Sequence, residues 1–121
     1  ILNMATNSWR TSNPNQWTVI KDTIEKAKND ENIHSLVMIN CAPIYNRNSY
    51  RPITADSGEA KLMQQMLTQF VNDTGKSAVF IHGTSSGVYR ISGIPHIGTD
   101  NRATIIAIDP SSDDKIKVIQ K

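Results

Sequence analysis

The sequence predicts an α/β fold: a mixed β-sheet flanked by two helices, in the order β-α-β-α-β followed by antiparallel hairpins. Three observations carry that expectation. Two stretches repeat apolar residues at three- and four-residue steps, the helical period: Trp17, Ile20, Ile24 and Ala27, then Leu62, Met63, Met66, Leu67 and Phe70. Two short apolar runs, Ser35 to Asn40 and Ala78 to Ile81, have the length of strands. After residue 86 the chain changes to short extended runs separated by turn residues, the pattern of hairpins. Two helices early and hairpins late place the helices against one sheet.

In order, Ile1 to Thr6 reads as a short first strand and Asn7 to Asn13 as a polar loop. Asn13-Pro14 predicts a helix start, with Asn as N-cap and Pro at the first helical position. Lys21, Asp22, Glu25 and Lys28 fill its polar face, and Asn29 to Asn32 ends it. SLVMIN at 35–40 is almost continuously apolar, as a strand covered on both faces would be, and stops at Cys41-Ala42-Pro43. Ile44 to Ala55 is a polar loop that carries Tyr45, Arg47, Tyr50, Arg51 and Pro52. Asp56 and Glu59 have capping-box spacing ahead of the second helix, and Asp73-Thr74-Gly75 ends it with Gly in the expected place.

Ala78 to Ile81 then leads into a small-residue loop, His82-Gly83-Thr84-Ser85-Ser86-Gly87. Val88 to Ile91 is extended, Ser92-Gly93 turns, and Ile94 to Ile97 returns. Ala103 to Asp109 and Lys115 to Gln120 form a last hairpin around Pro110 to Asp114. There is no internal repeat, low-complexity segment or linker, so residues 1–121 read as one domain or subdomain.

Thirteen basic against eleven acidic residues leave a net charge of +2, and Arg10, Lys21, Lys61, Arg90 and Lys117 are scattered, which argues against a nucleic-acid partner. No run of about 18 apolar residues provides a membrane span. The chain opens on Ile1 and an apolar run without a charged n-region, unlike a signal peptide; it reads as cut from a longer protein. A single Cys excludes an internal disulfide framework. The Asn-, Ser- and Thr-rich composition is compatible with an exported or cell-surface protein, and the Asn, Ile and Lys content with a bacterial source.

Loops at strand ends are where α/β proteins place chemistry, so Ser77 to Thr99 is the stretch to search. Cys41 and His82 each follow a strand, and a thiol beside an imidazole is the minimum for nucleophilic catalysis, with Gly83 and Thr84 amides as an oxyanion hole. No third orienting group is evident, and the bland reading is a small buried Cys and a hydrogen-bonded strand-end His. Gly83, Thr84, Ser85, Ser86 and Gly87 could hold an anion through backbone amides, although Gly-Lys-Ser/Thr and a following helix are both missing. Tyr45, Arg47, Tyr50 and Arg51 make one aromatic-basic cluster suited to a glycan or phosphate, or simply to a solvated loop. Cys41, His82 and His96 lack diagnostic metal spacing, and Asp109, Asp113 and Asp114 lack that of an EF-hand. His34 is expected to face solvent, and His96 to be structural or edge-exposed. Trp17, Met63 and Met66 belong to the core by periodicity.

Three features together resemble a known family. Asn15-Gln16-Trp17 opens a helix; Val37 to Tyr45 looks like a strand ending in His-x-Pro-x-Tyr; Val79 to Thr99 looks like a strand ending in Gly-His-x-His with a Gly-Ile-Pro return. The chain resembles the C-terminal half of calcineurin-like metallophosphoesterases, the purple acid phosphatase superfamily, over nearly its whole length. The resemblance implies half of an αββα sandwich and two-metal phosphoester hydrolysis. The family's His-x-Pro imidazole falls on Cys41, and its two Gly-His-x-His imidazoles fall on Gly83 and Ser85, with His82 in the Gly position. The resemblance thus implies a degenerate site with no metal ligands or cofactor in this chain. Three functions stay open: a catalytically degenerate accessory or binding domain of a larger protein; the C-terminal part of an active phosphoesterase, whose divalent metal pair is held mainly by residues upstream of Ile1; or an interaction domain that packs on the remainder of its own polypeptide or forms a homo-oligomer.

Overall fold

A computed structural model describes residue 2, residues 7–113 and residues 115–121. The expected first strand, Ile1 to Thr6, lies outside the described residues except for Leu2, which bridges in parallel to Asn40. Three helices and six strands follow: α1 (Trp9–Ser12), α2 (Gln16–Asn29), β1 (Ser35–Asn40), α3 (Ser57–Thr74), β2 (Ser77–His82), β3 (Ser86–Ile91), β4 (Ile94–Thr99), β5 (Thr104–Ile108) and β6 (Ile116–Gln120). The main sheet is mixed, in the order β1-β2-β4-β3, and β5 and β6 form a separate two-stranded antiparallel sheet. β1, β2 and β4 run parallel, and β3 pairs antiparallel with β4 through the tight Ser92-Gly93 turn, both of whose residues take positive φ.

The fold class expected from sequence is the fold observed, with α1 added where a polar loop was expected. Asn7 to Asn13 folds because Ser8 caps it, accepting the Thr11 amide, and because Trp9 is completely buried, edge-on to Trp17 at 5.5 Å. The Trp side chain supplies the apolar area that a four-residue helix lacks by itself. Asn13 is consequently not the N-cap of the next helix. Its carboxamide instead accepts the Asn15 amide in an Asx turn, and α2 starts at Gln16. α3 ends as the sequence predicts, on Gly75 at φ 69°.

The helices cover one face of the sheet, over Leu36, Met38, Ala78, Phe80, Tyr89 and Ile91, with Met63, Leu67 and Phe70 of α3 and Ile20 and Ala27 of α2 in the same core. The β5–β6 hairpin covers only the middle of the other face, where Ile116 packs on Val79 and Ile97. The expectation that β1 is covered on both faces is therefore wrong: Val37 is 43% and Ile39 39% exposed, since β1 lies beyond the hairpin's reach. Leu62, read as part of the apolar face of α3, is likewise exposed. Lysines close the two long helices. Lys76 donates to the carbonyls of Ala27 and Asp30 at the end of α2, and Lys115 to that of Gly75 beyond α3.

Candidate functional site

Parallel register brings the expected site together at one edge of the sheet. Ser35 pairs with Ser77 and Asn40 with His82, so β1 and β2 end side by side. The next residues, Cys41 and Gly83, then abut: a Cβ on Gly83 would stand 3.0 Å from the Cys41 carbonyl oxygen. His82 in turn pairs with Gly98 of β4. Here the C-terminal ends of parallel strands meet two loops, the position at which open α/β sheets bind ligands.

The turn from Gly83 to Gly87 is anchored on both sides. Ser85 carbonyl accepts the Asp100 amide at 3.1 Å, and the Arg47 guanidinium donates to the Ser86 carbonyl. Thr84 takes φ 61° and is exposed. Arg47 also lies against Gly87, where a Cβ would meet its Nη1 at 2.7 Å. Arg47 is therefore the neighbour of Ser86 and Gly87, at the far end of the turn from Gly83. Tyr45 reaches the same place from below: it is buried, and its carbonyl accepts the Tyr89 hydroxyl at 2.9 Å.

Beneath the turn the side chains are aromatic and imidazole. His82 is buried; its Nδ1 faces the Gly83 carbonyl at 3.0 Å and its Nε2 the Tyr89 hydroxyl at 3.3 Å. Burial pushes its pKa down, against the Gly83 carbonyl, which favours the charged form. Tyr89 is raised to about 12 by burial, opposed by the Arg47 guanidinium. Burial raises Tyr45 as well.

His96 is not at an edge. β4 is an interior strand, and the ring is fully buried between Phe80 and Tyr89, with centroids at 5.0 and 5.5 Å. Its Nε2 lies 2.9 Å from Gln64 Oε1, while Gln64 Nε2 donates to the Ile91 carbonyl at 2.7 Å. That second bond fixes the amide orientation, so Gln64 presents oxygen and His96 carries its proton on Nε2. Nδ1 is buried with no hydrogen-bond partner. Burial, and secondarily His82, lower the His96 pKa to about 3. His34 faces solvent, as expected.

Cys41 and His82 lie at adjacent strand ends in different surroundings. Cys41 is exposed, whereas His82 turns into the interior with both ring nitrogens engaged. Among the described residues no group of three or more His, Cys, Asp or Glu is placed to hold a metal ion. Tyr50 and Arg51 are exposed on the loop that Tyr45 and Pro52 close. In the turn after β5, Asp109 accepts from the hydroxyl and amide of Ser111, which lower its pKa; Asp114 lies outside the described residues. No helix among the described residues is long and apolar enough to cross a membrane.

No family model, no curated protein and no solved structure matches this chain. Sequence reasoning missed Tyr89, Gln64 and Asn40, and placed Glu59 on the cap of the wrong helix. Two of them had a legible signal. Gln64 interrupts the apolar stripe of Ala60, Met63, Leu67 and Phe70, and Asn40 occupies the buried phase of β1, where it accepts from the Trp9 indole at 3.1 Å. A polar residue in a buried phase needs an internal partner.

Proposed function

We propose that this chain is a non-catalytic, metallophosphoesterase-like binding domain of a larger protein, whose ligand edge is the Gly83–Gly87 turn with Arg47 and Cys41. The observation that carries this is the orientation of His82. It lies under the turn and is held by Gly83 and Tyr89, so it presents no base to the exposed Cys41. What remains at the surface is a small-residue turn beside a guanidinium, a chemistry suited to an anionic group such as a phosphoryl oxygen.

The test uses the whole chain. Metal analysis and a phosphodiesterase assay with added Mn²⁺ should give neither bound metal in stoichiometric amount nor turnover. Titration with inorganic phosphate should shift the NMR amides of residues 83–87. Turnover that disappears in Cys41→Ala or His82→Ala would favour instead the C-terminal part of an active phosphoesterase.

One observation favours a second reading, an interaction domain that pairs with a copy of itself. Val37 and Ile39 leave an apolar strip on the sheet face beyond the hairpin. Sedimentation would separate the two: a dimer dispersed by Val37→Lys supports pairing, and a monomer at high concentration rejects it.

A further inference from the structure

We propose that His82 is a proton-operated clamp, which ties the Gly83–Gly87 turn to the Tyr45 segment when the imidazole is charged and loosens that tie when it is neutral. The proposal is independent of whether the turn binds a ligand. It rests on the order of donors and acceptors around one ring. Nδ1 faces the Gly83 carbonyl, Nε2 faces the Tyr89 phenol oxygen, and the Tyr89 hydroxyl donates to the Tyr45 carbonyl.

A neutral imidazole has one N–H. With the proton on Nδ1, the Gly83 carbonyl is served, but the Nε2 lone pair faces an oxygen whose only hydrogen is committed to Tyr45. With the proton on Nε2, the Nδ1 lone pair faces the Gly83 carbonyl at 3.0 Å. Either neutral tautomer leaves two acceptors opposed, at a site too buried for water to intervene freely. The imidazolium donates to both neighbours and completes a chain from Gly83 through His82 and Tyr89 to Tyr45. Losing that proton to solvent is relieved in one way: Tyr89 rotates its hydrogen from the Tyr45 carbonyl to Nε2. One proton leaves, one hydrogen bond exchanges acceptors, and the Tyr45 carbonyl is released.

The surroundings set where this occurs. From β4, His96 faces the ring but is neutral, with its proton on Nε2 toward Gln64. From β3 comes Tyr89, and from the segment after β1 come Tyr45, the Cys41 backbone and the Arg47 guanidinium. No carboxylate among the described residues hydrogen-bonds His82. Burial therefore moves the transition below the ordinary imidazole value.

Histidine-labelled full-length chain, followed by long-range ¹H–¹⁵N spectra from slightly alkaline to moderately acidic pH, tests this. His82 should pass from the neutral tautomer with its proton on Nδ1 to the doubly protonated ring, and the Tyr45 carbonyl ¹³C shift should move with the same midpoint. Tyr89→Phe should lower the His82 midpoint by about half a unit or more, because the charged ring loses an acceptor. Should that variant not fold, the Tyr45 carbonyl in the native chain still decides. A Tyr45 carbonyl that stays fixed while His82 titrates, a His82 that never titrates above the acid unfolding of the chain, or an unchanged midpoint in Tyr89→Phe would overturn the clamp.

Discussion

The carboxylate of Glu59, on the first turn of α3, accepts the backbone amide of Trp9, the first residue of α1, at 2.9 Å. Its other oxygen takes the Ser8 hydroxyl and the Arg10 amide, at 3.0 and 3.1 Å. Glu59 has capping-box spacing, yet its side chain serves a different helix: Asp56 accepts from Gly58, and Glu59 closes the N-terminus of α1 instead. A buried carboxylate facing helix N-terminal amides is well paired in both charge and hydrogen bonding. Glu59→Gln keeps the shape but turns an amide nitrogen toward donors, and should cost about 1–2 kcal/mol. Glu59→Ala should cost about 2–4 kcal/mol, since it strands the Trp9 and Arg10 amides and removes packing above Trp9. Urea unfolding followed by tryptophan fluorescence measures both; a Gln variant as stable as the parent would show that the contact is incidental.

His96 should make the fold acid-sensitive. Its folded pKa, about 3, lies below the unfolded imidazole value, so the unfolded chain binds the proton first. Stability from this group is complete above about pH 6.5 and is lost progressively as pH falls toward 3. The whole effect is at most about 5 kcal/mol, an upper figure because a loosened core would admit water. His96→Phe keeps the stacking between Phe80 and Tyr89 and removes the proton site, at the expense of an unmatched Gln64 oxygen. Urea midpoints across this range should fall less steeply in the variant than in the parent. Parallel curves would refute the assignment.

Gly98 should be irreplaceable for a steric reason. In β4 it pairs with His82 on one side and Gly87 on the other. A Cβ there would collide with the Ser85 carbonyl and stand 2.9 Å from His82 Cε1. Neither can yield cheaply, one being backbone and the other a ring held at both nitrogens. Gly98→Ala should cost about 2–3 kcal/mol and shift the amides of residues 83–87. Gly93, with no atom near its would-be Cβ and φ 83°, is the control: Gly93→Asn should cost under about 1 kcal/mol.

How much of this could be read beforehand follows the range of each interaction. Helix periodicity, the Gly75 stop and the strand runs are local, and α2, α3 and β1 to β6 fall close to where the sequence puts them. The adjacency of Cys41 and Gly83 follows from parallel register, which aligns two strand ends, and Arg47 lies against Ser86 and Gly87. What escaped depends on partners far away in the chain. α1 exists because Trp9 finds a core and Glu59 caps it from 50 residues on. The exposure of Val37 and Ile39 depends on where the β5–β6 hairpin lands, which an apolar run cannot reveal. His96 read as either structural or edge-exposed, and the sequence could not choose between them because the crossover that makes β4 interior is not a local property.

Cys41 offers the sharpest check on whether any nucleophile is armed at this edge. Its thiol is exposed, and the nearest imidazole in sequence-based reasoning, His82, is buried and engaged with Gly83 and Tyr89. An armed thiol would alkylate faster in the folded protein than in the unfolded chain, because a neighbouring base or cation raises the thiolate fraction. A structural, packed thiol would be slower by orders of magnitude. The Cys41 thiol is exposed, so iodoacetamide should modify native and urea-unfolded chain at rates within about threefold of each other. Cys41→Ser should leave stability within about 0.5 kcal/mol, as expected for an exposed position. A native rate tenfold above the unfolded one would mean that a base does reach the sulfur, and would favour the Cys41–His82 nucleophilic reading over the binding domain.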